Sequence, residues 1–144
     1  MLGQVAVPAV VTAARRAHVR DDRFQNVTSI RGLPLGVRDE LQTLFGSSTL
    51  AIAEPGAPFQ ATDDVAAGAS LPIRRLAVAG CSVDHCLVYY ERGGIAHTWQ
   101  ALLFHWTPAQ TRVEAGGVAP AGLRTIGEVR TAVVSGALKP GRYW

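Results

Sequence analysis

Residues 71–116 read LPIRRLAVAGCSVDHCLVYYERGGIAHTWQALLFHWTPAQTRVEAG, and they carry the strongest secondary-structure signal of the chain. It contains four runs rich in Val, Leu, Tyr, Trp and Phe, a composition that is typical of β-strands. The predicted strands are 74–80, 86–92, 95–106 and 111–115. Short turns separate the runs, so we expect an antiparallel β-meander over 73–116.

The turns also predict the register of the strands. Gly93 and Gly94 read as a two-residue hairpin turn that accepts positive φ angles, which places Tyr90 opposite His97. A four-residue turn at 107–110 fixes the next hairpin. In this register one sheet face is apolar, and we expect the C-terminal helix to cover it. Its residues are Leu76, Val78, Leu87, Tyr89, Leu102, Phe104, Trp106 and Val113.

The opposite sheet face mixes small, aromatic and charged residues, as a half-solvated face does. Tyr90, Arg92, His97 and Trp99 share this face in the predicted register and form an aromatic–basic patch. Aromatic rings contribute contact area, and arginine offers cation–π and bidentate contacts. We therefore expect another protein or a small ligand to bind there. In the alternative interpretation the N-terminal segment or the 54–72 loop covers this face, and Tyr90 and Trp99 belong to a second core.

Cys81 and Cys86 flank the four-residue turn at 82–85, so they oppose each other across a hairpin. Opposed residues in an antiparallel pair lie within the distance that a disulfide bridges. The C-x₄-C spacing differs from the C-x-x-C of redox and zinc motifs, and we expect no metal site and no cofactor. A stable disulfide indicates an oxidising compartment, so we expect a periplasmic or secreted protein, whereas free cysteines would indicate the cytoplasm.

The N-terminal segment 1–20 has two interpretations. Its short apolar run is followed by small residues, as at the end of a secretory signal peptide, but a basic start is missing. Alternatively, Pro8 begins a first helix.

The remaining elements are read from helix signals and composition. Apolar spacing predicts a helix over 37–45 that ends at Gly46, and 48–53 reads as a short strand. A long loop follows at 54–72. Thr125 and Glu128 have the spacing of a capping box, which starts a C-terminal helix over 123–137.

These elements predict an α+β fold in a single globular domain over 1–144. Its centre is a four- to five-stranded antiparallel β-meander packed against a C-terminal helix, with a helical N-terminal third.

Composition limits the function. The chain has 144 residues, of which 48% are hydrophobic and 17% charged, so it folds rather than staying disordered. No apolar run reaches the ~20 residues of a membrane span. The net charge of +3 is too small for a nucleic-acid partner, and no catalytic motif is present. The Ala, Arg and Gly bias is typical of bacterial genomes rich in G and C.

We therefore expect a small extracytoplasmic, non-enzymatic binding module that uses the Tyr90/Trp99 face. The alternative is a small enzyme with a site near His97 or His85 and an acid from the 54–72 loop.

Overall fold

The computed structural model describes residues 7–62, 71–94 and 96–144. The elements in chain order are α1 (Ala13–Asp21), β1 (Gln25–Val27), a 3-10 turn (Ile30–Gly32), α2 (Leu35–Phe45), β2 (Arg74–Cys81), β3 (His85–Arg92), β4 (Thr98–Trp106), β5 (Thr111–Val118) and α3 (Ile126–Val134). The strands form one antiparallel sheet in the order β1-β2-β3-β4-β5. The predicted α+β class is confirmed, with an antiparallel sheet, a helix α3 near the C-terminal end and a helical N-terminal part. Across the described residues, no helix combines the length and apolar character that a membrane crossing needs.

Helices cover both faces of the sheet. Helix α2 packs on one face, which we call the α2 face, and helices α1 and α3 pack on the other, the α1/α3 face. The buried core of the α2 face consists of Leu33, Val37, Leu41, Ile52, Leu76, Ala79, Cys86, Val88, Tyr90, Leu102 and Phe104. The buried core of the α1/α3 face consists of Val11, Val19, Leu87, Tyr89, Ala101, Leu103, Ala115, Ala119, Val129 and Val133. The expectation of a half-solvated face is therefore wrong. Strands that are buried on both sides are apolar at consecutive positions, and they do not alternate between apolar and polar residues.

The register between β3 and β4 differs from the predicted one by three residues. Arg92 lies opposite Thr98 and Tyr90 lies opposite Gln100, so the connection is longer than two residues. Of its two glycines, only Gly94 has a positive φ, of 112°. A Cβ atom on Gly93 would lie 2.1 Å from the main-chain oxygen of Gln60. Close packing of another backbone segment, and not a tight hairpin turn, therefore requires this glycine. The expected strand start at residue 95 lies outside the described residues.

The three-residue shift divides the predicted apolar face between the two cores. A register change by an odd number exchanges the faces of a strand, and β2 also contains an irregularity between Leu76 and Val78. Leu87 and Tyr89 consequently pack on the α1/α3 face, whereas Leu102 and the other predicted β4 residues pack on the α2 face. The other two predicted turns are correct: Cys81 pairs with Cys86, and Trp106 pairs with Thr111.

Two local predictions are wrong. Helix α1 begins at Ala13 rather than at Pro8, because the Thr12 side chain accepts a hydrogen bond from the Arg15 amide and caps the helix there. Residues 7–12 are irregular, and the Pro8 main-chain oxygen accepts a hydrogen bond from the amide of Gly116. The predicted strand at 48–53 is reduced to one isolated bridge to β2.

The two helix-end predictions are confirmed. Gly46 ends α2 with φ 66°, in the left-handed conformation. The Thr125 side chain accepts from the amide of Glu128 at 3.1 Å and caps α3. The Glu128 carboxylate accepts in return from the amide of Arg124 at 3.0 Å, one residue earlier than in the usual capping box.

Candidate functional site

Helix α1 places two potential ligands at one end of the sheet. His18 and Asp22 are four residues apart, so their side chains lie on the same side of the helix axis. Asp22 ends α1, and its amide donates to the main-chain oxygen of His18 at 2.9 Å. Arg130 of α3 holds this helix end, because its guanidinium donates to the main-chain oxygens of Val19 and Asp22 at 2.7 and 2.6 Å.

The turn between β2 and β3 supplies two more potential ligands, Asp84 and His85. The structure joins Cys81 and Cys86 in a disulfide, which confirms the predicted bond and closes a ring around residues 82–85. Inside the ring, the Ser82 amide donates to the main-chain oxygen of His85 at 2.7 Å, and the His85 amide donates to Ser82 Oγ at 3.0 Å. The main-chain oxygen of Asp84 accepts from the Trp106 amide at 2.8 Å. These bonds fix where Asp84 and His85 lie.

The four side chains meet between α1 and the turn, and we call them the histidine–carboxylate cluster: His18, Asp22, Asp84 and His85. One potential ligand atom from each lies within 4.8 Å of those of the other three. Asp22 Oδ2 is 3.1 Å from His18 Nδ1 and 3.7 Å from His85 Nδ1. His85 Nδ1 is 2.8 Å from Asp84 Oδ1. The rings of His18 and His85 are stacked, with centroids 4.6 Å apart.

A third carboxylate lies behind His85. The His85 side chain is only 4% exposed, and its Nε2 is 3.5 Å from Oε2 of the buried Glu114. No residue in the described part of the chain forms a hydrogen bond with that oxygen. Arg15 Nε lies 3.2 Å from it, and an Arg112 nitrogen lies 3.6 Å from the other Glu114 oxygen. Two arginines therefore balance the charge of Glu114.

The environment of Asp84 favours its charged form. Burial acts to raise the pKa of Asp84, but the hydrogen bond from His85 and the charges of His85, His18 and His105 outweigh it, and the pKa lies below its usual value. His105 reaches the cluster from β4, where it pairs with His85, and its ring meets the His85 ring edge-on at 5.1 Å. Three of the four histidines of the chain therefore gather here.

An open cleft of about 410 Å³ adjoins the cluster. Its lining includes Asp22 from the cluster and Cys81 from the disulfide, together with Arg23, Gln25, Ser82 and Val83. Val83 is 86% exposed at the tip of the turn. Asp22 of the cluster and Cys81 of the disulfide therefore border the same open cleft.

The predicted binding residues do not share a face. Tyr90 is fully buried in the core of the α2 face, and Arg92, two residues further along β3, donates to the main-chain oxygen of Trp144 at 3.1 Å. Trp99 packs on the α1/α3 face, where its ring stacks between those of Tyr89 and His97. The structure brings His97 and Trp99 together and separates them from Tyr90. Their common face was predicted from the wrong register; whether any of these residues binds a ligand stays a prediction.

Both histidines of the enzyme alternative have carboxylate neighbours, but from elsewhere in the chain. His97 Nε2 lies 2.9 Å from an oxygen of the buried Glu91, which also accepts from Arg75 at 2.7 Å. Glu54 of the 54–72 loop instead accepts from the amide of Ile30. Asp63 and Asp64 of that loop lie outside the described residues.

The cluster escaped prediction for a physical reason. Its ligands come in two pairs that are 62 residues or more apart, and only the packing of α1 on the hairpin joins them. The available signal was the His-x₃-Asp spacing of His18 and Asp22, which places two ligands one helical turn apart. Asp84 alone reads as a turn residue.

No family model, no curated protein and no solved structure matches the chain.

Proposed function

We propose that the protein is a small extracytoplasmic binding module and that its ligand is a divalent transition-metal ion, zinc by preference, held by the histidine–carboxylate cluster. The observation that carries this proposal is the convergence of two imidazoles and two carboxylates within 4.8 Å. The proposal keeps the expected class of binding module. It moves the site away from the sheet face and replaces the expectation that no metal binds.

The spacing of the donors fits tetrahedral coordination. Zinc binds imidazole nitrogen and carboxylate oxygen at about 2.0–2.1 Å, so two ligand atoms of a tetrahedron are about 3.3 Å apart. Three of the six distances between ligand atoms are 2.8, 3.1 and 3.7 Å, and one ligand atom from each residue lies within 4.8 Å of the others, so binding has to draw the more distant atoms together. The stacked His18 ring has to turn for its Nδ1 lone pair to point at the ion. Its side chain is 47% exposed, which leaves room for that rotation.

The surroundings of His85 match those of a metal ligand. A ligating histidine usually donates its second ring N–H to a carboxylate, which fixes its tautomer and orientation. With Nδ1 directed at the ion, Nε2 of His85 carries the proton and faces Glu114 Oε2, a buried oxygen that pairs with Arg15 but accepts no hydrogen bond from the described residues. A small approach of the two atoms completes this hydrogen bond.

Charge also favours a divalent ion. Among the described residues, only histidines form ion pairs with the side chains of Asp22 and Asp84. With neutral imidazoles the cluster carries two negative charges, and an ion of charge +2 cancels them. Four protein ligands fill a tetrahedral site and leave no position for a reacting water, so we propose binding and not catalysis.

The Cys81–Cys86 disulfide supports the compartment. Such bonds persist in the periplasm or outside the cell and are rare in the cytosol. We expect protein that is purified from its native host under thiol-trapping conditions to contain no free thiol. Two free thiols in that measurement would contradict an extracytoplasmic location.

The metal proposal is tested by titration of the oxidised full chain with Zn²⁺ in a calorimeter, and with Co²⁺ by visible absorption. We expect one ion per chain and a tetrahedral Co²⁺ spectrum that Zn²⁺ abolishes. His85→Ala and Asp84→Asn each remove a ligand and lower the affinity by at least about 100-fold.

His97→Ala is the matched control, because this histidine also pairs with a buried carboxylate but lies outside the cluster. Its zinc affinity should equal that of the parent chain. The absence of stoichiometric binding, or an equal loss in His97→Ala and His85→Ala, would overturn the proposal.

A further inference from the structure

We infer that the Cys81–Cys86 disulfide regulates this metal site: the oxidised chain holds the ion, and opening of the bond by a dithiol weakens its binding. The inference rests on the proposed function. It joins two features that are adjacent in the fold, a disulfide that borders an open cleft and a metal cluster of which two ligands lie inside the ring that the disulfide closes.

The ring fixes half of the ligand set. Asp84 and His85 are the last two of the four residues between the cysteines, and the tip of this turn stands in solvent, with Val83 86% exposed. The other two ligands belong to α1 and reach the turn mainly through the side chains of the cluster, together with a 3.4 Å contact from Ser82 Oγ to Asp22. A closed ring restricts the conformations of Asp84 and His85 before the ion arrives, and such preorganisation favours binding.

The released thiols do not take over as ligands. Successive residues of a strand point to opposite faces, so Cys86 and His85 face different sides of β3. Cys86 is buried in the core of the α2 face, and Cys81 packs against that same core. His85 lies on the opposite side, beside α1 and Glu114. Opening the bond therefore removes a constraint without adding a sulfur donor to the cluster.

The two sulfur atoms of the disulfide differ in exposure, and this difference determines which of them a thiolate attacks. Cys81 lines the open cleft, whereas Cys86 is fully buried. A thiolate of the dithiol attacks Cys81 Sγ, the S–S bond breaks, and the electron pair leaves on Cys86 Sγ, which takes up a proton. The second thiol of the reductant then attacks the mixed disulfide. This step releases the Cys81 thiol and closes a disulfide in the reductant, so two electrons have passed from the dithiol to the protein.

Thermodynamic linkage makes the coupling reciprocal. If the oxidised chain binds zinc more tightly than the reduced chain, bound zinc must make the disulfide harder to reduce by the same factor. We expect a factor of about ten, because hydrogen bonds within the turn keep part of its shape after the bond opens. A tenfold factor lowers the reduction potential by about 30 mV.

The experiment compares zinc affinity in the oxidised full chain and in the Cys81→Ser/Cys86→Ser double variant, with circular dichroism to show that both are folded. A Thr125→Ala variant, which removes the α3 cap and changes no residue of the disulfide ring or of the cluster, controls for a general loss of stability. In a second arm, the oxidised chain is equilibrated with dithiol buffers of graded potential. A metal buffer sets the free Zn²⁺ either far below or far above its dissociation constant.

The outcomes separate the two proposals. About tenfold weaker zinc binding in the double variant, with Thr125→Ala unchanged, and a midpoint about 30 mV lower in zinc support the regulation. Equal affinities in oxidised chain and double variant, or a midpoint that zinc does not move, overturn the regulation while the metal site stands. Failure of the oxidised chain to bind zinc overturns the proposed function itself. If the double variant does not fold, the potential shift in the parent chain decides alone.

Discussion

At the scale of single residues, the hydroxyl of Tyr90 offers a sharp test, because it is buried and none of the described residues hydrogen-bonds to it. A buried polar group that lacks a partner lowers stability, and its removal without a change of shape relieves that loss. Tyr90→Phe should therefore raise the free energy of unfolding at pH 7 by about 1 kcal/mol, measured in urea. A destabilised variant would show that the hydroxyl is bonded in solution.

The same substitution should change the alkaline limb of the stability curve. Burial raises the pKa of Tyr90 well above its usual value, whereas an unfolded tyrosine ionises near pH 10. Above that pH the unfolded chain loses a proton that the folded chain keeps, so stability falls as the pH rises. Tyr90→Phe removes this dependence on one proton. Urea unfolding at pH 9 and pH 11 should show a smaller decline in the variant than in the parent chain.

Gly93 tests the reason for the longer β3–β4 connection. A methyl group there meets the main chain of Gln60 and Ala61, which cannot move aside as a flexible side chain would. Gly93→Ala should therefore destabilise the fold by about 1–3 kcal/mol. Gly127→Ala is the matched control, since this glycine lies in the first turn of α3 and a Cβ there makes only an ordinary van der Waals contact, 3.7 Å from Thr125 Oγ1. It should stabilise by about 0.5–1 kcal/mol. Equal effects of the two substitutions would contradict the close approach at Gly93.

At the scale of secondary-structure elements, Arg130 connects α3 to the end of α1. Its guanidinium donates to the main-chain oxygens of Val19, Arg20 and Asp22, and it lies over the ring of Phe24. Lysine keeps the charge but lacks the planar fork that serves several acceptors at once. Arg130→Lys should lower the stability by about 1 kcal/mol and loosen the last turn of α1.

Hydrogen exchange measures that loosening directly. In Arg130→Lys the amides of the last α1 turn should exchange faster than in the parent chain, while those of β3 and β4 follow only the global change. Because Asp22 belongs to this turn, the zinc affinity should fall as well. Unchanged α1 protection would show that the packing of Val19 holds this helix without Arg130.

The elements also show how far the sequence could be read. Helix ends were predictable because Gly46 and Thr125 act locally, through one backbone angle and one side-chain bond. The pairing of Cys81 with Cys86 was predictable because a four-residue turn leaves little choice. The turn at Gly93 was predicted wrongly, because glycine is required both in a tight turn and where another backbone segment packs closely. Only the position of Gln60 in the fold distinguishes these two cases. The register, and with it the assignment of faces, depends on such contacts.

At the scale of the whole molecule, the wrong β3–β4 register led to the prediction of a sheet covered on one face, whereas helices cover both faces. A sheet with helices on both sides has consecutive apolar residues in its central strands, as at 86–90 (CLVYY) in β3. Read as an alternating pattern, the same run leaves Tyr90 exposed. The histidine–carboxylate cluster depends on this plan, because α1 reaches the turn only when it covers the second face. Its four ligands could be recognised singly in the sequence, but not as neighbours.

Because helices pack on both faces of one sheet, we expect the molecule to unfold as a unit. Zinc would join α1 to the β2–β3 turn, so its binding free energy should stabilise the molecule as a unit and not α1 alone. A ligand that binds only the folded state stabilises it by about 2.7 kcal/mol at 100 times its dissociation constant. For a chain of this size that corresponds to a rise in Tm of roughly 5–15 °C. Calorimetric scans of the oxidised chain with zinc and with a chelator should each show one transition, separated by this shift. In His18→Ala, which lacks one ligand, the shift at the same zinc concentration should largely disappear. A second, low-temperature transition that zinc alone removes would instead show that α1 unfolds separately from the sheet.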